Sequence, residues 1–256
     1  NYGDDSYSGT LSAPVKTIQK AVDKVIAMNE VTASNEGNPY KILLLSDIIS
    51  DDSFESNNNA LVNINPSYSG NPLYLEISKY GDGNATINAN RTDSNTGRVM
   101  YIGEKANVTL ENLILTGGYL KNDENKNGGG IYSKGICNLN SCTISGNTAK
   151  ASTGSVKGGG VYIESGSFTM EGCTISGNTA GYETDTPNAY GGGIYGANGT
   201  IIMNNTTISE NKVASVNDVE GAGVCLSGAE LTMKGGLISE NECSSDSSSF
   251  GGGVYV

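Results

Sequence analysis

The chain has 256 residues, 36% hydrophobic and only 16% charged, with 36 glycines, five cysteines and neither Trp nor His. Without imidazole, Ser-His-Asp and Cys-His catalysis, His-ligated zinc and histidine general-base chemistry are excluded. A net charge of −12 with only two arginines, Arg91 and Arg98, argues against nucleic acid and anionic membrane surfaces as partners, and no apolar run approaches the ~18 residues that would insert in a bilayer.

In chain order, residues 1–40 read as an N-terminal segment and 41–256 as a repetitive body. The chain opens at Asn1 without Met or a signal peptide, the pattern of a processed or trimmed start. Thr17 is placed to cap a helix over 18–29, with Ile18, Val22, Val25 and Ile26 on one face. Such a helix suits the open first coil of a repeat protein, whose bare strand edges would otherwise recruit other strands. Strand-like runs follow at 41–48, 60–64, 73–78, 85–89 and 98–103, with an irregular spacing that leaves their order open.

From about residue 98 the repeat takes over. Gly triplets, or Gly-Ala-Gly, begin at 128, 158, 191, 221 and 251, each followed by Ile or Val and, in four cases, by Tyr. A second motif keeps step: SCTISGN (141–147), GCTISGN (172–178), TTISEN (206–211) and GLISEN (236–241). Within a repeat the apolar period is two. Val108, Cys137, Phe168, Ile201 and Leu231 form one column, and Leu110, Leu139, Met170, Met203 and Met233 the next. A third column runs Leu113, Cys142, Cys173, Thr206 and Gly236, and a fourth Leu115, Ile144, Ile175, Ile208 and Ile238. About three short strands in ~30 residues, with no helical stretch, make one coil of a β-solenoid in which apolar columns become stacked ladders.

Asn147, Asn178, Asn211 and Asn241 mark one turn, where Asn tolerates the left-handed region and its amide can bond to the Asn stacked on it. The Gly triplets mark another corner. Between them lie stretches of variable composition, 147–157, 178–190, 211–220 and 241–250, read as loops on one face and as the place to look for a ligand. The chain stops at Val256 part-way into a further coil, as expected of a fragment whose repeats continue.

These motifs carry a resemblance. GDDSYSGTLSAPVKTIQKAVDKV (3–25) is similar to the N-terminal segment of many bacterial secreted β-helix proteins. The GGG[IV]Y and [IL]SxN repeats resemble those of the polymorphic outer-membrane-protein type of surface protein. The whole chain resembles the right-handed parallel β-helices of the pectate-lyase-like superfamily. The resemblance implies an all-β fold, a right-handed parallel β-helix of about six coils behind an N-terminal α-helical cap, and an extracellular or cell-surface bacterial location.

It leaves two functional readings. One is a non-catalytic surface or secreted segment, adhesin-like or structural, that touches a host or cell-surface glycan or protein. The other is a carbohydrate-active β-helix such as a Ca²⁺-dependent polysaccharide lyase. The resemblance implies that a polygalacturonase would need a Gly-His-Gly segment, and a lyase a Lys or Arg base with acidic Ca²⁺ ligands. Asp51-Asp52 and Asp123-Glu124, the closest acidic pairs, read as solvated turns, as does Asp4-Asp5. No motif supports Ca²⁺ or another cofactor, and no residue is assigned a catalytic role.

The candidate binding residues are Tyr101, Tyr132, Tyr162 and Tyr195, each one place after an inward aliphatic, in a column continued by Cys225 and Tyr255. Partly exposed rings at coil spacing would give a stacking platform for glycans; a ladder that only supports the sheet is the preferred reading. The Thr-x-Ser pattern at 143/145, 174/176 and 207/209 follows from solvent-facing β-propensity. Cys142 and Cys173 belong to the core, whereas Cys243, in a Ser-rich stretch, is the candidate reactive thiol.

Overall fold

The computed structural model describes residues 3–31, 35–50, 59–67, 70–121, 126–181 and 188–256. A single helix, Ile18–Val31, precedes the strands. The Thr17 hydroxyl accepts from Lys20 N at 3.3 Å, as its place predicts, and Asp5 Oδ1 accepts from the amides of Lys16 and Thr17 at 3.0 and 2.8 Å. Asp5 therefore does more than turn the chain: it ties the opening segment to the helix start. Ile18, Val22 and Val25 are buried in the same core as the first coils.

All paired strands beyond the helix are parallel and lie one coil apart, in a β-solenoid of about six turns. One sheet stacks Ala60–Ile64, Arg98–Ile102, Ile131–Ser133, Val161–Ile163, Ile194–Gly196, Val224–Leu226 and Val254–Tyr255. The largest sheet bends around a corner. Its first arm holds Tyr40–Leu44, Leu73–Lys79, Ala106–Glu111, Ile136–Asn140 and Ser167–Glu171, and its second Ile48–Ile49, Ala85–Asn88, Leu113–Thr116, Thr143–Ser145 and Thr174–Ser176. The strands Thr200–Ser209 and Glu230–Ser239 run through both arms. The bend falls at Asn112, Ser141, Gly172, Asn205 and Gly235, one column, all with φ between 48° and 70°. The irregular early runs are thus ordinary coils: Leu75 pairs with Tyr40 on one side and with Val108 on the other.

The four apolar columns point inward as the alternation predicts. Val108, Cys137, Phe168, Ile201, Leu110, Leu139, Met170 and Met203 are fully buried, and only Leu231, Met233 and Ile238 in the last strand remain half-exposed.

The Asn turn departs from expectation in one respect. The left-handed residue is the one before each Asn, namely Gly146, Gly177, Glu210 and Glu240, at φ of 64°, 62°, 57° and 55°. The Asn backbone is thereby freed to hold its side chain inward, where the expected ladder forms. Asn147 Nδ2 donates to Asn178 Oδ1 and Asn178 Nδ2 to Asn211 Oδ1, both at 3.0 Å, and Asn211 Nδ2 donates to Asn241 Oδ1 at 2.9 Å. Each Oδ1 also accepts the backbone N–H of the preceding Asn. The second amide hydrogen reaches a carbonyl one coil back, as from Asn178 to Ile144 O at 2.9 Å. These buried amides are fully satisfied, which is the condition for burying them at all.

The stretches read as variable loops each hold two short strands. Tyr119–Lys121, Thr148–Lys150, Thr179–Gly181, Lys212–Ser215 and Glu242–Ser245 form a five-stranded sheet. Ser155–Lys157, Asn188–Tyr190, Val219–Glu220 and Ser249–Phe250 form a four-stranded one. Between them lies a second, Ala-rich core of Leu120, Ala149, Val156, Ala180, Ala189, Val213, Val219 and Ala222. Strands of two to four residues, with one or two inward side chains each, are too short to show a period in the sequence.

The helix end is sealed by side-chain amides. Gln19 Oε1 accepts from Asn63 N at 2.7 Å and its Nε2 donates to Asn63 O at 3.1 Å, so one amide stands in for a neighbouring strand. Asn35 makes the same pair of bonds to Tyr74, at 3.1 and 2.8 Å.

Candidate functional site

The Tyr column exists in register. Tyr101 pairs with Tyr132, Tyr132 with Tyr162, Tyr162 with Tyr195, Tyr195 with Cys225 and Cys225 with Tyr255. The ring centroids of the first four are 5.3, 4.9 and 5.7 Å apart in succession. The alternation that sends Ile131, Val161 and Ile194 inward sends these rings outward.

A second wall faces them. The residue before each of the last four Gly corners ends a strand of the four-stranded sheet, and Lys157, Tyr190, Glu220 and Phe250 pair in succession as one column. The triplet turns the chain sharply and the Tyr follows five residues later, so the two columns flank one corner. At its hinge, Gly158 has φ +68° and a Cβ there would lie 2.2 Å from Val161 O, so only glycine makes this turn. Tyr190 meets Tyr195 at 6.2 Å, Phe250 meets Tyr255 at 6.1 Å, and Lys157 Nζ sits 4.9 Å from the Tyr195 ring centre. This second column was legible as the positions five residues before each Tyr, but polar and aromatic types are mixed there and sequence reasoning passed over it.

The expected partial exposure is split along the column. Tyr101 and Tyr132 are half-buried, whereas Tyr162 and Tyr195 are only 8% and 5% exposed and form a small core with Cys225. The expectation of an open column assumed one wall, and the two-walled corner covers the middle rings. Rings that keep partial exposure are therefore Tyr101 and Tyr132 and, in the last coil, Tyr255 with Phe250, 47% exposed.

Charge gathers at the Tyr101 end. The Arg98 guanidinium lies 5.0 Å from the Tyr132 ring centre, and its Nη2 donates to Asn127 O at 3.1 Å. Burial lowers the Arg98 pKa to about 10, which leaves it cationic at neutral pH. The Tyr132 hydroxyl donates to Glu164 Oε2, and Lys134 Nζ pairs with Glu164 Oε1 at 3.1 Å. Burial raises the Glu164 carboxyl and the Tyr101 phenol, the latter helped by the charge on Glu164. At the other end Cys225 Sγ lies 4.0 Å from Glu220 Oε2, and burial pushes that thiol up to about 12.

Other candidates fall outside this corner. Among the described residues no three Asp, Glu or Cys side chains converge as a metal site. Asp51-Asp52 and Asp123-Glu124 lie outside the described residues. The Thr-x-Ser positions stack as Thr143, Thr174 and Thr207 and as Ser145, Ser176 and Ser209. Cys243 is half-buried, with Sγ 3.6 Å from Phe250 O and its thiol raised by burial. No helix among the described residues is long and apolar enough to cross a membrane.

Comparison with known proteins gives one match: residues 76–256 fit the family model described as the right handed beta helix region. No curated protein and no solved structure matches the chain.

Proposed function

The chain belongs to the right-handed β-helix family, and on that premise we propose that it is a non-catalytic contact segment of an exported bacterial surface protein, with the aromatic corner as its contact surface. The observation that carries this reading is the column of stacked rings beside the Gly corner, backed by a packed core and partly exposed at Tyr101 and Tyr132. Tyr rings offer an apolar face and a hydroxyl, the combination that stacks on sugar rings while bonding to their hydroxyls. Tyr101 and Tyr132, paired in adjacent coils with ring centres 5.3 Å apart, offer a short platform along the solenoid axis that suits one or two units of a glycan. Glu164, Lys134 and the Tyr132 hydroxyl supply polar partners at the Tyr101 end.

The two halves of the column separate binding from stability. Replacing Tyr132 by Ala is expected to weaken glycan binding about tenfold or more, as loss of an interface anchor does. Replacing Tyr162 by Ala, a nearly buried ring, is expected to lower stability by about 3 kcal/mol. A glycan array followed by titration calorimetry on the wild type and both variants tests this. Absence of any glycan ligand, or affinity unchanged by Tyr132→Ala, would overturn the reading. Turnover of a uronate polymer that a chelator abolishes would replace it with the lyase reading.

A further inference from the structure

The second arm of the largest sheet carries a regular array of hydroxyls on its outer side. Thr143, Thr174 and Thr207 pair in succession, and Ser145, Ser176 and Ser209 beside them, so three inner coils present the same two side chains. Thr116 extends the serine column by one coil. The rungs superpose because the backbone repeats on both sides of them: Ser141, Gly172 and Asn205 before, and Gly146, Gly177 and Glu210 after, all have positive φ between 48° and 64°. Parallel strands then set the rungs ~4.8 Å apart and the two columns ~6.6 Å apart. Fully buried Ile144, Ile175 and Ile208 back the array, and its six side chains are half-buried. Among the described residues none of these six hydroxyls has a hydrogen-bond partner in the protein, whereas the inward Thr206 of the same strand donates to Asn204 O at 3.1 Å. Charge stops at the bend. The first arm carries Lys41, Glu76, Glu111 and Glu171, but no strand segment of the second arm contains an ionisable or aromatic residue, in a chain of net charge −12.

We propose that this face is an adsorption surface for ordered water at an ice crystal. Each water molecule of such a lattice both donates and accepts, as each free hydroxyl does, and rungs fixed by the core hold several of them at once. A dissolved ligand would exchange water for hydroxyl bonds with little net gain and would meet its own ordering cost. A crystalline sugar surface calls for rings to stack on, and a mineral surface for carboxylates; this arm has neither. Nor does a second copy fit: five rungs two columns wide cover about 300 Å², well short of the ~800 Å² per partner of a stable protein interface. The proposal is independent of the aromatic corner.

Partition of the intact protein into a slowly growing ice hemisphere tests it, with thermal hysteresis as a second readout. The wild type is expected to enter the ice and to shape crystals. Thr174→Lys and Ser176→Lys, one in each column, are expected to lose both effects while keeping the wild-type circular dichroism melt. Thr169→Lys, an outward position on the neighbouring first arm, is the control and is expected to keep them. The proposal fails if ice excludes the wild type, or if Thr169→Lys abolishes partition as completely as Thr174→Lys does. It also fails if the wild type is excluded from ice but sediments with microcrystalline cellulose, or forms a dimer that Thr174→Lys dissociates, because a polysaccharide or a second copy is then the occupant.

Discussion

Replacing Asn178 by Ala probes the buried ladder at its middle. The side chain donates to Ile144 O at 2.9 Å and to Asn211 Oδ1 at 3.0 Å, and accepts from Asn147 N at 3.1 Å and Asn147 Nδ2 at 3.0 Å. Asn147 Nδ2 keeps bonds to Leu115 O and Ser145 O, and Asn211 Oδ1 keeps the bond from Asn178 N. The Asn147 amide and the Ile144 carbonyl are left bare in a site no water reaches. At about 1–3 kcal/mol for each orphaned group, the expected loss is about 4 kcal/mol. For a chain of this size that corresponds to a fall in Tm of roughly 8–16 °C. Asn241→Ala is the internal control: the same residue type on the half-exposed rung, where water can replace the lost partner, should lose less than about 1 kcal/mol. Urea unfolding followed by far-ultraviolet circular dichroism measures both, with coincident probes checking cooperativity, which long repeat arrays can lack. Equal losses in the two variants would refute the argument that burial sets the value of the ladder.

Gly158→Ala should destabilise by about 2 kcal/mol or more in a thermal melt, because a left-handed backbone and a carbonyl 2.2 Å away both oppose the Cβ. Burial raises every thiol, with Cys142 and Cys225 pushed up to about 12, so the native protein should resist alkylation until denaturant opens it, as mass spectrometry would show. The Tyr119 hydroxyl and Lys121 beside Asp93 lower its carboxyl to about 2; the stability this adds is present above the ordinary carboxylate range and is lost as pH falls through about 2. Asp93→Asn should remove that increment and flatten the acid end of the stability profile.

The parts of the fold legible in the sequence are those that repeat with a long enough period. Four apolar columns and the Gly and Asn turns each recur at one position per coil, so their burial follows from alternation alone. The left-handed residue was misplaced by one because Asn147 and Gly146 are adjacent and both tolerate that backbone, and Glu210 and Glu240 gave no sign of adopting it. The Ala-rich second core was hidden because Ala149, Ala180 and Ala189 are small residues in strands of three. That omission carried through to the site: with the four-stranded sheet unseen, nothing indicated that Tyr162 and Tyr195 would be covered. Asp5 and Gln19 act across 12 and 44 residues, distances at which a single sequence offers no pattern.

The Gln19 amide on Asn63 gives the molecule a direction. A stack of coils held only by neighbours frays from whichever end is cheaper to open. At the helix end, opening must break two hydrogen bonds to one side chain and strip Ile18, Val22 and Val25 from the core. Gln19→Ala should therefore speed amide exchange in Ala60–Ile64 before it does so in the coils beyond, because the helix acts as a latch on the first coil.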